Sequence, residues 1–486
     1  MIRKVISKYG LAAHLGLLAA FPVVFAPYLS STTLGQATLW MSLFALLWVC
    51  AEPSVRAGEH SSDSRCRVLM SAIKDPVLYF CLLVICFTLV RWCNSGVAMC
   101  YDSEQAKWLV KEPAATVMPA SVGDAGFLPM VAAVALTVFL VGARHALGLQ
   151  ARVFCGLTAT ALVGAGGLVA ATLACMGKNA QLAKCAMAGF SDVPMMGSAF
   201  GFFLLLSVVF GMDAEGRKWS AARLPFVLAV GGSSAGLVLF APPLWAAVHL
   251  LIALLFLAFS AVYCARLGSM GSVARGIGIV VLGLSVPALL LMGLATPELQ
   301  QAKVQGLDLE RAFPLEYKTL YQTLSRIAKE MWMQRPWLGV GVGGYGLHAP
   351  FLAVKADWAV VPPHPQYALC GYWTLLAERG ILGCALLILG VVLLLWSWGM
   401  RLWEAFRHLH HNDDVDIFPF ACPPVVWTAP FVFVLAVSEL LFSPAFNLMP
   451  SVVAFVVSLA LSAASFPRDP KAIAPDPAQD SSKQGK

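Results

Sequence analysis

The side chains of this sequence that could do chemistry in water are crowded into one stretch, residues 296–379. It holds eight basic residues (Lys303, Arg311, Lys318, Arg326, Lys329, Arg335, Lys355, Arg379), seven acidic ones, and two of the nine histidines, His348 and His364. An imidazole exchanges protons near neutral pH, and a guanidinium is a permanent, planar cation. The signs are mixed, so the stretch is not a patch for a polyanion such as nucleic acid. Within it runs Arg335-Pro336-Trp337-Leu338-Gly339-Val340-Gly341-Val342-Gly343-Gly344-Tyr345, whose glycines fit G-x-G-x-x-G. A dinucleotide fingerprint also needs a strand before and a helix after, within a βαβ unit, and that reading is set aside. Two others remain: a turn that needs positive φ at glycine, or a backbone that lets a ligand approach closely. No CxxC pair and no metal-ligand cluster is visible, so no metal or cofactor is expected.

The elements that must position these residues are set by hydropathy. The chain has 486 residues, 59% hydrophobic and 12% charged, half the charge of a typical soluble domain, with a mean hydropathy of +0.77. An ordinary water-soluble enzyme and a disordered chain are both excluded. Continuous apolar runs, rather than alternating ones, exclude a transmembrane β-barrel. Twelve candidate spans fall near 11–28, 34–51, 76–94, 127–143, 153–174, 194–212, 224–240, 243–264, 276–295, 380–399, 419–441 and 445–463. The expected fold is therefore all-α: a polytopic membrane bundle of about twelve transmembrane helices. It divides into helices one to nine (1–295), a long loop (296–379), helices ten to twelve (380–463) and a disordered tail (464–486). Pro242 and Pro243 at the start of the eighth span predict a tight hairpin with the seventh.

Orientation follows from the Lys and Arg of the loops. Placing the N-terminus inside puts 20 of the 33 on the cytoplasmic side, including Arg144 and Arg152, against four (Lys107, Lys111, Lys178, Lys184) in short external loops. Both termini are then cytoplasmic, the first span a retained signal anchor, and the 296–379 loop outside. In that loop Leu320, Leu324, Ile327 and Met331 fall at helical spacing, with Lys318, Gln322 and Lys329 opposite. This predicts an amphipathic helix, lying either along the outer membrane surface or as a lid packed on the helix bundle. Free thiols are favoured over a Cys175–Cys185 or Cys93–Cys100 disulfide.

The segment Arg326-Ile-Ala-Lys-Glu-Met-Trp-Met-Gln-Arg335-Pro-Trp-Leu-Gly-Val-Gly-Val-Gly-Gly-Tyr345, then His364, then Leu375-Leu-Ala-Glu-Arg-Gly-Ile-Leu-Gly383 resembles the O-antigen ligase family. That family also takes in O-linked oligosaccharyltransferases and related polysaccharide polymerases. The resemblance implies a bacterial inner-membrane enzyme with its active site in the periplasmic loop. It would move a glycan from undecaprenyl diphosphate to an acceptor, a sugar hydroxyl of lipid A–core for the ligases. On this resemblance Arg311, Arg326 and Arg335 would hold the diphosphate through bidentate guanidinium contacts and His364 would be the general base. Gly339, Gly341, Gly343 and Tyr345 would shape the loop backbone, and Glu378 marks a recurring, non-catalytic position.

Two positions depart from the family. Its His stands five residues closer to the glycine that opens the next span; here His364 lies 16 residues before Gly380, and Leu369 holds the family's place. A mid-chain Ser-Arg-Gly is replaced by Phe240-Ala-Pro-Pro-Leu-Trp245, so a phosphate ligand is sought elsewhere, with Arg91 preferred over Lys184. His249 reads as a helix-packing residue. A polymerase that extends the lipid-linked glycan is the alternative of the same architecture, and the displaced His argues modestly for it. A polysaccharide transporter without chemistry is the alternative of another class, and would carry more charge in its spans than Arg91 and Glu439.

Overall fold

The computed structural model of the chain describes residues 2–51 except 27 and 30, 75–93, 98–102, 107–111, 123–179 except 148, 182, 196–216, 223–267 except 242, 270–305, 315–353, 368–411, 424–442 and 449–464. Within the described residues, each apolar run falls largely on a helix. These are α1 (Ile2–Phe25), α2 (Ser31–Ala51), α3 (Pro76–Cys93), α4 (Gly123–Val141), α5 (Leu149–Cys175), α6 (Met196–Gly216), α7 (Arg223–Phe240), α8 (Pro243–Leu267) and α9 (Met270–Gly293). Three helices of the hydrophilic stretch follow: α10 (Pro297–Gln305), α11 (Leu315–Gln334) and α12 (Gly344–Leu352). Then come α13 (Gly371–His411), α14 (Thr428–Phe442) and α15 (Met449–Ala464). A two-stranded antiparallel hairpin, Ala98–Asp102 paired with Lys107–Lys111, is an addition to the all-α reading.

Among the described residues, four stretches are long and apolar enough to cross a membrane: Ala151–Cys175, Trp245–Val262, Gly276–Gly293 and Gly371–Glu404; the apolar segments of the other helices, such as Tyr9–Phe25 and Gly197–Phe210, are shorter. The chain is thus an all-α, multi-pass membrane-type protein. Large apolar side chains cover its outside, among them Trp40, Leu47, Met292 and Trp396, each more than 60% exposed. Such a surface suits lipid rather than water.

Lipid tails offer no hydrophobic drive between helices, so close packing must hold them together. Small residues provide it. Gly164 and Gly167 on α5 meet Gly232 and Ala229 on α7 so closely that an added Cβ would strike backbone, and between α7 and α9 Gly231 and Gly283 make room for the side chains of Val286 and Val230. Helix α6 is buried all round, from Phe200 through Phe210. It is tied across the bundle by one polar group: Ser198 donates to Glu439 on α14 (2.6 Å), whose carboxylate lies 3.1 Å from His249 Nε2 on α8. The Nδ1 of His249 lies 2.9 Å from the carbonyl of Trp245, so this histidine packs helices. Cys175 is a free thiol, which leaves no bridge to Cys185; the side chains of Cys93 and Cys100, and residues 465–486, fall outside the described residues.

Helix α11 follows neither of the two readings of the amphipathic segment. Its Leu320, Leu324, Ile327 and Met331 are buried in a second core with Val340, Tyr345, Ala349, Leu369 and Ala377, while Lys318, Gln322 and Lys329 are exposed. The apolar face is covered by the glycine loop, α12 and the start of α13, in a core separate from that of the bundle, so α11 is neither bare to a membrane surface nor a lid on the bundle core. Ile327→Ala should therefore destabilise the purified protein by about 2–5 kcal/mol, whereas Met333→Ala, on the exposed face, should stay within ~0.5 kcal/mol. Denaturant titrations in detergent check this; equal effects would mean that the face is not packed.

Candidate functional site

Helix α13 starts at Gly371, nine residues before the expected span, and breaks at Gly380, whose φ of 64° and ψ of −173° no helix contains. An unbroken helix would bond the N–H of Ile381 and Leu382 to the carbonyls of Ala377 and Glu378. The break frees all four groups, and buried backbone groups must find partners. The glycine loop supplies them. Val340 N–H donates to Ala377 (2.8 Å) and Gly341 N–H to Glu378 (2.9 Å), while Ile381 and Leu382 donate to Pro336 (2.8 Å) and Trp337 (3.0 Å). Two helical bonds are exchanged for four between segments.

This exchange explains the glycines. Gly339, Gly341 and Gly343 have φ of 66°, 104° and 76°, so the positive-φ reading holds. Gly339 also sits against the backbone of Ala377 and Glu378, and Gly380 against Trp337 and Leu338, where a Cβ would collide. The element before the loop is a helix, α11, so no βαβ unit is present here. Glu378 is buried, and its carboxylate accepts from Tyr345 N–H (3.2 Å) and Gly343 N–H. It thereby caps the start of α12 rather than of its own helix, where a negative charge is favoured. Tyr345 is buried and its hydroxyl donates to the Leu324 carbonyl (3.0 Å), pinning α12 to α11.

Cations gather on this lock. Arg91, at the last turn of α3 and 2% exposed, donates Nη2 to the Glu378 carbonyl (3.3 Å). Arg379 lies within electrostatic reach of both Arg91 and Glu378. Two guanidiniums held together at the end of a bundle can receive an anion. Arg335, which opens the glycine loop, is half-buried, and loss of solvent pulls its guanidinium below its ordinary value. His348 on α12 faces it. Burial, then the Arg335 charge, lower the His348 imidazole from its ordinary value, so at neutral pH it is uncharged and able to accept a proton. Arg326 stands on the flank of α11, where Nη1 donates to Glu330 (2.6 Å), four residues on and half-exposed. Arg311, His364 and Lys184 lie outside the described residues.

One cation was hidden in the sequence. Lys303 of α10 is buried and its Nζ donates to the carbonyls of Leu239 (2.8 Å) and Ala241 (3.4 Å). It brings a charge to the stretch that carries no Arg of its own. Burial brings its ammonium down to about 8, against the opposing pull of the Cys175 thiol. Arg379 was likewise visible only as one of eight loop charges; its place directly before the helix-breaking Gly380 was the signal.

No protein-family model matches the chain, and no curated protein matches its sequence.

Two outcomes follow from this geometry. Gly380→Ala should destabilise by at least ~1–3 kcal/mol, from strain at positive φ alone, whereas Gly278→Ala on α9, where an added Cβ meets nothing, should be neutral or mildly stabilising. Melting temperatures of the two variants check this. His348, lowered in the folded state, binds its proton more readily when unfolded, so its contribution rises with pH and is lost as pH falls below the ordinary imidazole range. His348→Gln should flatten the drop in melting temperature between about pH 7.5 and 5.5; an unchanged slope would separate His348 from it.

Proposed function

We propose that the chain is a glycosyltransferase of the O-antigen ligase type, working on the outer face of a bacterial inner membrane with both termini in the cytoplasm. The twelve apolar helices would all cross the bilayer. The donor is a glycan on undecaprenyl diphosphate and the acceptor a sugar hydroxyl of lipid A–core. In the reaction the acceptor oxygen attacks the anomeric carbon, and the bond from that carbon to the diphosphate oxygen breaks with its electron pair. The hydroxyl proton passes to an imidazole and the polyprenyl diphosphate leaves. Guanidiniums offset the charge that develops on the leaving group.

The observation that carries this reading is the lock itself. It joins the two motifs behind the resemblance, backbone to backbone, with Arg91 and Arg379 at the joint. Arg335, Arg326 and Arg311 are the further proposed diphosphate ligands, and His364 the base. His348, beside Arg335, is the second imidazole to test. A polymerase extending the lipid-linked glycan is the second reading, favoured by the 16-residue distance from His364 to Gly380.

In a deletion strain, lipid-linked polymer should accumulate for a ligase and single repeat units for a polymerase, as read on a glycolipid gel; accumulation of neither contradicts both. His364→Ala should abolish complementation while the protein stays in the membrane. If it complements fully and His348→Ala does not, the base is His348. Arg335→Lys should lower donor use about tenfold or more, the loss of one bidentate, charge-assisted contact.

A further inference from the structure

A second cationic group lies where the start of α3 meets the Ser397–Arg401 turn of α13, about 24 Å along α3 from Arg91. Asp75 precedes α3 and caps it, accepting from Val77 N–H (3.0 Å). Its other carboxylate oxygen lies 3.1 Å from Arg144 Nε and 2.9 Å from His145 Nε2. Burial works against the Asp75 charge, but the bond from His145 and the field of Arg144 hold its carboxyl below the ordinary value. Arg144 Nη2 also donates to Ser397 of α13 (2.9 Å), and Arg152 of α5 donates Nη2 to the Arg144 carbonyl (3.1 Å). Arg401, one turn beyond Ser397, is within electrostatic reach of Arg144 and Arg152.

Three features suit this group to a ligand. It brings guanidiniums from three elements together where the dielectric is low and their repulsion strong. It is built on a five-residue π-helical turn, Gly142–Ala146, a distortion that recurs at functional sites and here turns both Arg144 and His145 to Asp75. It also grades outward: Arg144 and Arg152 are buried, Arg401 is half-buried, and Glu404 and Trp403 are exposed. An exposed Trp at the end of an apolar span, here Gly371–Glu404, marks the level of lipid headgroups.

We propose that Arg401, Arg152 and Arg144 form a phosphate-binding site at this end of the bundle, filled by the headgroup of an anionic phospholipid. Guanidiniums meet phosphate oxygens in bidentate pairs, and basic pockets between helix ends take such headgroups. A free phosphate shares the chemistry and is the other source. The inference stands apart from the glycosyltransferase reading, since it uses none of the residues of the lock.

The test is native mass spectrometry of the full-length protein from nanodiscs of phosphatidylcholine doped with phosphatidylglycerol, with and without millimolar inorganic phosphate. Wild type should retain phosphatidylglycerol. Arg401→Gln should retain about tenfold less, the loss of one charge-assisted bond. Arg407→Gln, exposed on the same helix, should retain as much as wild type. Displacement of the lipid by inorganic phosphate, or phosphate binding that depends on Arg401 without lipid, assigns the site to the free anion. If Arg401→Gln and Arg152→Gln both bind lipid and phosphate as wild type does, the proposal is overturned.

Discussion

A helix that must stop bonding to itself inside a buried environment has to bond to something else, and much of the hydrophilic part of this protein is arranged around that demand. At Gly380 two carbonyls and two amides leave α13 unsatisfied. Each stranded buried group would cost about 1–3 kcal/mol, so the break exists only because the 336–341 backbone meets all four. The positive φ of Gly339 and Gly341 follows from that meeting. So do the burial of Glu378 at the start of α12 and the covering of the apolar face of α11.

The lock also places charge. Arg91 arrives from α3 at the Glu378 carbonyl, one of the four groups released by the break. Arg379 is fixed beside it because it precedes the break, and Arg335 because it opens the loop that answers it. A cation is costly in an apolar bundle unless donors and acceptors surround it, and here the freed backbone supplies acceptors. The same economy governs Lys303, whose ammonium sits on the carbonyls at the end of α7. At the start of α3 and further along α13, Arg144 rests on Asp75 and Ser397.

Much of this was legible in the sequence, for physical reasons. Helices in an apolar medium satisfy their own backbone, so a continuous apolar run is a helix, and within the described residues each run falls largely on one. The periodicity of Leu320, Leu324, Ile327 and Met331 gave a helix with one buried face; what covers that face depends on Val340 and Leu369, which periodicity does not address. The glycines announced positive φ, but their partner 40 residues on is a tertiary fact. Arg144 and Arg152 read in the sequence as loop charges that set orientation, yet both are buried, Arg144 on the π turn and Arg152 in the first turn of α5. Arg326 lies four residues before Glu330, and the pair forms as helical spacing allows. His364 and Arg311 lie outside the described residues, so their roles rest on the resemblance alone.

Hydrogen exchange reads the lock most directly. In the detergent-solubilised protein the amides of Val340, Gly341, Ile381 and Leu382 should be protected together and open together, as one unit, when denaturant is raised below the global transition. Peptides covering 336–343 and 377–383 should then share one opening free energy. If 336–343 exchanges at the rate of an open loop while 377–383 stays protected as ordinary helix, the exchange of bonds at Gly380 does not exist, and the placement of Arg91, Arg379 and Arg335 loses its basis.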